Sequence, residues 1–479
     1  MQGSSDLAVL RAEVGEVHAL LSARNGHIHM LGIGGVGMAG VAVHLQGRGF
    51  KVSGCDATLG SVTQWLGERG IPVAVGHDAS HLAADVAWCV RSPAVRNDEP
   101  EVKAAMGRGL RVFRRGVVLP ALLRDANAVA VSGTHGKTTT TTMIAHLLRT
   151  CGVDASYAVG GEADALGGVS VAGKDRAFVV EADESDGTLA LYEPEIAVIT
   201  NMELDHVDYF RDMQALRDCF ATFAGQTRRR VICGADDPES FALSRRLHHA
   251  LTFGMDERSN MRGVVRSEDA GGIRFEVQFR GAVLGSVSLP VPGRHNVLNA
   301  LAALVVGTEL GLRFDAMAAA LASFSNARRR FEKIAEQSGV LVISDYAHHP
   351  TEIRALMTQA VLLGRRLVAV FQPHRYSRTL ALGDAFARSF RGVQELLLVP
   401  VYAASEPEIK GGTSRDLMKY FERAGETPAR YADSLDEAWD WIRSTVEPGD
   451  VLLIVGAGDV EKLAFRAKAA LTSGTLFSG

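Results

Sequence analysis

An apolar run, Ala128–Val131, enters Gly133, Thr134, His135, Gly136, Lys137, Thr138 and Thr139, followed by a threonine-rich stretch with helical spacing. Glycines leave backbone N–H groups free to face an anion, and a following helix presents its positive end. A lysine neutralises phosphate charge, and a threonine hydroxyl ligates Mg²⁺. The grouping reads as a cradle for a nucleoside triphosphate. It is a shortened phosphate loop, with Val131 where the first glycine usually stands. An ordinary strand, turn and helix would have no use for Lys137 beside Gly136.

A second run, Ala177–Val180, ends in four acids, Glu181, Asp183, Glu184 and Asp186. The carboxyl end of a parallel strand is where ligands of α/β domains sit. Carboxylates crowded there need a counter-charge, and Mg²⁺ bridging phosphates supplies it. Either Glu181 or Glu184 can be the ligand, the strand-end position favouring Glu181. The next strand, Ile196–Thr200, leads to Asn201, Asp205, His206 and Asp208, which makes His206 a second metal-ligand candidate. No lysine occurs between Lys174 and Lys333, so a modified lysine carboxylate cannot bridge metals there. Nearer the N-terminus, Gly32, Gly34, Gly35 and Gly37 follow the strand His27–Leu31, and Asp56 closes the next strand nineteen residues after Gly37. This spacing suits a diphosphate with a ribose and does not distinguish a dinucleotide from a UDP-sugar.

Two further loops carry cations. Asp345 ends the strand Val340–Ser344 and precedes Tyr346, His348 and His349; His374, Arg375 and Arg378 follow the strand Leu367–Val370. Two arginines can grip a carboxylate or phosphate bidentately. Asn296, at the start of the helical stretch Val297–Leu310, is placed either to meet a base or to cap the helix.

The elements needed to position these groups are legible. Short β-branched runs alternate with helical patterns, the rhythm of parallel α/β domains, and 479 residues with 47% hydrophobic content suffice for roughly three of them. Residues 257–290 alternate with period two, which predicts an antiparallel addition to the middle sheet. No apolar run reaches the roughly 20 residues that span a bilayer, and the first residues lack a signal-peptide pattern. A net charge of −4 with intermixed signs gives no nucleic-acid footprint. Cys55, Cys89, Cys151, Cys219 and Cys233 form no short-spaced pair, so neither a disulfide framework nor a zinc site is expected, only buried or bystander thiols. On the residues alone, an NAD-dependent oxidoreductase would use Gly32–Gly37 and Asp56 but leave the phosphate loop unexplained. A non-catalytic nucleotide-binding regulator would leave the Tyr346–Arg378 constellation unexplained.

Taken together these motifs resemble the Mur ligase family over nearly the whole chain. The resemblance is carried by Gly32–Gly40, Gly133–Thr139, Glu181–Asp186, Asp205–Tyr209, Gly293–Asn299, Asp345–Pro350 and Phe371–Arg378. It implies an α/β protein with an N-terminal extension (1–26) and a Rossmann-like UDP-substrate domain (27–125). A central P-loop ATPase domain (126–326) and a Rossmann-like C-terminal ligase domain (327–479) follow. The implied activity is ATP-dependent joining of L-alanine to the lactyl carboxylate of UDP-N-acetylmuramate through an acyl phosphate, beginning the peptidoglycan stem peptide. A ligase that recycles murein peptides is the alternative within the family. ATP and Mg²⁺ are the implied cofactors, with Mn²⁺ able to substitute. The expectation is a cytoplasmic monomer or weak homodimer that engages neither nucleic acid nor membrane.

Carried over residue by residue, Gly133–Thr139, Asn296, Arg329 and Asp345 would bind ATP. Thr138, Glu181 and His206 would hold the metal. Gly32, Gly34, Gly35, Gly37, Asp56, Ser92 and His206 would meet the UDP-substrate. Tyr346, His348, His374, Arg375 and Arg378 would surround the amino acid and lactyl carboxylate, and Lys137, Glu181, His206 and Arg375 would be catalytic. The chain departs from the family pattern at Ser92-Pro93, where two serines are usual, and at Ala347, where glycine is usual.

Overall fold

The computed structural model describes residues 4–23, 26–185, 187–205 and 209–476. Three sheets follow one another along the chain. The first contains five parallel strands, β1 (His27–Leu31), β2 (Lys51–Asp56), β3 (Val73–Val75), β4 (Val86–Arg91) and β5 (Arg111–Arg114), in the order β3-β2-β1-β4-β5. The order reverses between β1 and β4, which opens a crevice at their carboxyl ends. The glycine loop follows β1 and Ser92 follows β4, so both lie at that crevice.

The second sheet has ten strands: β6 (Asn127–Ser132), β7 (Ser156–Ala158), β8 (Ser170–Val171), β9 (Ala177–Glu181), β10 (Ile196–Ile199), β11 (Arg230–Gly234), β12 (Ala250–Gly254), β13 (Met261–Asp269), β14 (Gly272–Phe279) and β15 (Ala282–Leu289). Strands β9, β6, β10, β11 and β12 are neighbours and parallel, which brings the ends of β6, β9 and β10 to one edge. The addition expected near residues 257–290 is the antiparallel trio β13–β15. The third sheet runs β16-β17-β21-β18-β19-β20, from β16 (Glu332–Gln337), β17 (Val340–Asp345), β18 (Leu367–Phe371), β19 (Glu395–Leu398), β20 (Ala429–Tyr431) and β21 (Val451–Val455). Only β16 is antiparallel, so Asp345 and the loop after Phe371 emerge at the same edge.

Period two explains why these strands are apolar throughout. In β17 and β18, Val340, Val342, Val368 and Val370 face one core, while Leu341, Ile343, Leu367, Ala369 and Phe371 face the other. Helices cover both faces, and each buried side chain of this size contributes about 1.5–3 kcal/mol. The helix Ser4–Ser22 buries Val14, Val17 and Leu21 in the core shared with the helix Arg115–Leu123. An ion pair between Glu16 and Arg111 adds to that docking.

Candidate functional site

The loop after β6 turns on two glycines. Gly133 has φ +131°, and Gly136, with φ +81°, caps the helix Lys137–Thr150. A Cβ on Gly133 would collide with Thr200 and stand 2.9 Å from the Asn201 carbonyl, so the segment leaving β10 approaches too closely for any side chain. Gly133→Ala is therefore expected to lose about 1–3 kcal/mol of stability through backbone strain, read as a lower urea midpoint, and to lose nucleotide affinity with it. An unchanged midpoint would mean that this segment yields.

Lys137 folds back over this loop. Its ammonium donates to the carbonyls of Gly133 (2.7 Å) and Thr134 (3.3 Å) and to Glu184 Oε1 (2.8 Å). Burial opposes the cation, but the charges of Glu184, Asp183 and Glu181 outweigh it and hold Lys137 above its ordinary range. Burial also pushes Glu184 up, to about 7, against the pull of Lys137. Glu181 is partly exposed at the end of β9, its Oε2 accepting from Gly160 N at 2.8 Å. The two acids left open by the sequence therefore differ: Glu184 is committed to Lys137, and Glu181 faces outward from the strand end. Thr138 is buried in the first turn, 3.2 Å by its Cγ2 from where a Gly161 Cβ would stand. His206 lies outside the described residues, as do Asp186 and Asp208.

A cleft of about 330 Å³ lies between the second and third sheets. His135, Gly136 and Thr139 line it from the phosphate loop, Asn296 and Asn299 from the helix Arg294–Glu309, and Arg330, Phe331, Asp345 and Glu352 from the third unit. Asn296 is not the helix cap, a position held by Gly293. Its amide donates to Pro292 O at 2.7 Å, and Phe253, Leu298, Phe331 and Leu356 supply apolar walls nearby. A buried amide among apolar walls suits a planar base with a hydrogen-bonding edge. Asp345 accepts from the backbone N–H groups of Phe331 and Ala347, both at 2.7 Å, and burial raises it to about 6. Arg329, singled out from the sequence, turns away. It binds the Gly456 and Gly458 carbonyls and Glu461, and its neighbour Arg330 lines the cleft instead.

Across the cleft His135 joins the two units. Its ring lies 2.9 Å from Glu203 Oε2 and 3.4 Å from Glu352 Oε1. Burial disfavours the imidazolium, yet the two carboxylates overcome this and raise His135 to about 9, while Glu203 is lowered to about 2, chiefly by its bond to His135. A raised folded-state value means that the pairing stabilises fully below the free-imidazole range, about pH 6.5, and is lost as pH rises through about 9. Nucleotide-free protein should therefore lose thermal stability between about pH 7 and about 9.5. His135→Gln should flatten that slope in melting curves; an equal slope in the variant would remove His135 as its source. Glu203 carries no local sequence signal; Glu352 has one only as an acid at the third position of a helix opened by His349-Pro350, where it accepts from the His348 and His349 backbone N–H groups, and nothing local points it at His135.

The third-sheet loops bring the expected cations together. His348 and His374 lie with ring centroids 5.4 Å apart, and His374 stacks on Tyr402 at 5.7 Å. Burial lowers His348 to about 4 and His374 to about 3, so both are neutral and the arginines carry the charge. Arg375, with φ +70°, pairs with Glu406 at 3.5 Å. Arg378 spans to the second unit, donating Nε and Nη2 to Asp205 at 3.0–3.1 Å. Tyr346 sits beside His348 with ring centroids 5.4 Å apart and edge-on geometry.

In the first sheet, Gly32 has φ +74° and faces Ser92, whose Cβ would lie 2.8 Å from a Cβ on Gly32. Gly34 N donates to Asp56 Oδ2 at 2.8 Å, Gly35 precedes the helix Val36–Gly47, and the Arg115 guanidinium lies against Gly37. Arg115, absent from the sequence reading, puts a positive charge over the loop. A diphosphate in the β1/β4 crevice would meet backbone N–H groups and this cation.

Comparison with known proteins agrees with this order of units. Family models described as the Mur ligase family catalytic domain, the Mur ligase middle domain and the Mur ligase glutamate ligase domain match residues 27–127, 131–307 and 329–458. The chain is similar to the UDP-N-acetylmuramate--L-alanine ligase of Gloeobacter violaceus, 40% identical over 91% of this chain and 94% of that one. The enzyme of the same name from Symbiobacterium thermophilum is 40% identical over 95% and 96%. Among solved structures, UDP-N-acetylmuramate-alanine ligase from Thermotoga maritima superimposes with a TM-score of 0.81 at 29% identity, covering 94% of this chain and all of that one. A murein peptide ligase from Psychrobacter arcticus gives 0.71 at 26%, covering 93% and 98%. With the phosphate loop, the paired cleft and the glycine crevice in this arrangement, and identity of this extent, the chain belongs to the Mur ligase family.

Proposed function

We propose that this chain joins L-alanine to the lactyl carboxylate of UDP-N-acetylmuramate, converting ATP to ADP and phosphate. The observation that carries the reading is 40% identity, over nine-tenths of both chains, to ligases of that name. The convergence of the phosphate loop, Asn296 and the third-unit residues Arg330 and Asp345 on one cleft supports it. The higher structural similarity to the alanine ligase than to the murein peptide ligase favours it over the recycling reading.

A carboxylate resists an amine because it is ionised and oxide is a poor leaving group. Transfer of the γ-phosphoryl of ATP to the lactyl carboxylate gives an acyl phosphate and ADP. The α-amino group then attacks the acyl carbon, and phosphate leaves as the amide forms. Phosphoryl transfer depends on positioning and charge neutralisation. In this reading Lys137 neutralises the transferred group, Asn296 meets the base, and Asp345 and Arg330 meet the ribose and phosphates. Thr138 and Glu181, with His206, would hold Mg²⁺; the hard oxygen donors ringing Lys137 suit that ion, which supplies charge neutralisation on the phosphate oxygens when bound. Arg375 and Arg378 orient the two carboxylates, and the neutral His348 and His374 leave that charge to the arginines. The glycine crevice with Asp56, Ser92 and Arg115 holds the UDP group. Domain limits at 125/126 and 326/327, a cytoplasmic location and a monomer or weak dimer belong to the same proposal.

The test is phosphate release from ATP and Mg²⁺ with UDP-N-acetylmuramate and, separately, L-alanine, glycine, L-serine or L-Ala-D-Glu-meso-diaminopimelate, with product mass. Release with alanine and a one-residue mass gain is expected. Turnover with the tripeptide alone would move the chain to the recycling ligases. One methyl group discriminates by only about 1–3 kcal/mol, so the alanine-to-glycine ratio measures the pocket directly.

A further inference from the structure

The first unit contains a second constellation with ligand chemistry of its own. His29 on β1, Cys55 on β2 and Glu101 in the helix Pro100–Gly107 are 1%, 0% and 0% exposed, and their donor atoms all lie within 4.8 Å of one another. His29 Nε2 is 2.9 Å from Glu101 Oε1, Cys55 Sγ is 2.9 Å from Glu101 Oε2, and His77 Nδ1 is 3.1 Å from Cys55 Sγ and 3.5 Å from Glu101 Oε2. Ligands on a tetrahedral zinc ion stand about 3.3–3.6 Å apart, given Zn–N and Zn–S bonds of about 2.0 and 2.3 Å, so the closer pairs here would have to open by about half an ångström to admit one.

Two observations separate this cluster from an ordinary buried hydrogen-bond network. First, His29 Nε2 and Glu101 Oε1 face each other in the interior, yet neither has a hydrogen-bond partner of acceptable geometry. Second, the far side of His29 is fixed. Its Nδ1 meets Ser53 Oγ at 2.9 Å, Ser53 Oγ meets His27 Nε2 at 2.7 Å, and His27 Nδ1 meets Asp85 at 2.8 Å. When donors along that chain run from His29 to Ser53, from Ser53 to His27 and from His27 to Asp85, the His29 Nε2 lone pair is aimed at the Glu101 carboxylate. Such outer hydrogen bonds fix the tautomer of metal-binding histidines. A lone pair and a carboxylate at 2.9 Å repel unless a proton or a metal ion lies between them, and the thiol and second histidine beside this pair complete a set of metal donors.

We propose that His29, Cys55 and Glu101, with His77 as fourth ligand from the partly exposed side, bind a zinc-class transition-metal ion. A mixed nitrogen, sulfur and oxygen set of this kind selects zinc over Mg²⁺. The Cys55 thiol proton leaves on binding. Its role is to pin the glycine loop, because the Cys55 carbonyl accepts from Gly32 N (2.9 Å) and Ile33 N (3.0 Å). An ion joining β1, β2 and the helix of Glu101 fixes the strand ends from which that loop springs.

Tag-free protein, desalted without added metal, is analysed by elemental mass spectrometry; metal-stripped protein is then titrated with Co²⁺ and followed by absorbance. About one zinc per chain is expected, with a thiolate-to-cobalt charge-transfer band. Cys55→Ser should abolish the band, and Cys55→Ser and Glu101→Gln should each lower zinc affinity by about tenfold or more. Absence of both zinc and the cobalt band in folded wild-type protein overturns the proposal. So does zinc retained at wild-type affinity in both variants. If the Cys55 variant fails to fold, Cys89→Ser decides: Cys89 is the register partner of His29 and lies near Glu101, so the band must survive its removal, and loss of the band there overturns the assignment to Cys55.

Discussion

Lys137→Ala lowers turnover by about 10²–10³-fold, while the affinity for UDP-N-acetylmuramate changes by less than about twofold. The first figure follows from loss of a preorganised charge on the transferring group, where a single donor is worth about 10²–10³ in rate. The second follows from the fold, since the glycine crevice belongs to a different sheet from the phosphate loop. Calorimetry with the UDP-substrate alone and phosphate release with all substrates check the two halves. Loss of UDP-substrate affinity would contradict the division of labour between the first and second units. Removal of Lys137 also strands Glu184, 1% exposed, among other acids, and breaking a buried pair costs about 3–5 kcal/mol. The double variant Lys137→Met/Glu184→Gln removes both charges together, so it should regain much of the lost stability without regaining turnover. That outcome assigns the rate loss to phosphate chemistry and not to unfolding.

What could be read from the sequence was whatever is written locally. The loop Gly133–Thr138 and the acid cluster after β9 announce themselves because strand, turn and helix start lie within a dozen residues. The antiparallel trio β13–β15 showed through its alternation. The residues that escaped are those whose place depends on bends or on distant partners. Arg329 and Arg330 are indistinguishable in the run of three arginines, and the choice between them is made by positive φ at Arg329 (57°) and Phe331 (52°). Such bends have no signature in a non-glycine sequence. His135 finds Glu352 217 residues away. The proposed zinc site has no local signature, because metal motifs are recognised by short spacing, whereas His29, Cys55, His77 and Glu101 are gathered from two strands, a loop and a helix. The sheet order β3-β2-β1-β4-β5 puts them together.

Arg378→Ala is expected to lower turnover by about 100-fold or more and to open the molecule, because its partner is 173 residues away in another unit. Arg378 was placed among the groups that face substrate carboxylates, but its guanidinium holds Asp205 through both carboxylate oxygens, at 3.0 Å each from Nη2, and both side chains are buried. The partners belong to different units, so the pair acts as a clasp that sets the third unit against the cleft. Breaking a buried pair leaves an uncompensated charge worth about 3–5 kcal/mol, enough to shift a closed equilibrium by two orders of magnitude or more. Arg378→Lys should not rescue, since an ammonium cannot reproduce the planar two-pronged contact. Asp205→Asn distinguishes clasp from ligand. If Arg378 acts chiefly through Asp205, Asp205→Asn and Arg378→Ala should lose similar activity, enlarge the radius of gyration alike in small-angle scattering, and combine with little further loss. If instead Arg378 acts chiefly on a substrate carboxylate, Asp205→Asn should retain most of the turnover while Arg378→Ala raises the KM for alanine or UDP-N-acetylmuramate. Arg378 lies 3.2 Å from His374 Nδ1, so a substrate carboxylate arriving at the histidine face would draw on the same guanidinium. Closure and carboxylate recognition would then be coupled through one side chain, with Nε and Nη2 held by Asp205 and Nη1 facing the histidine.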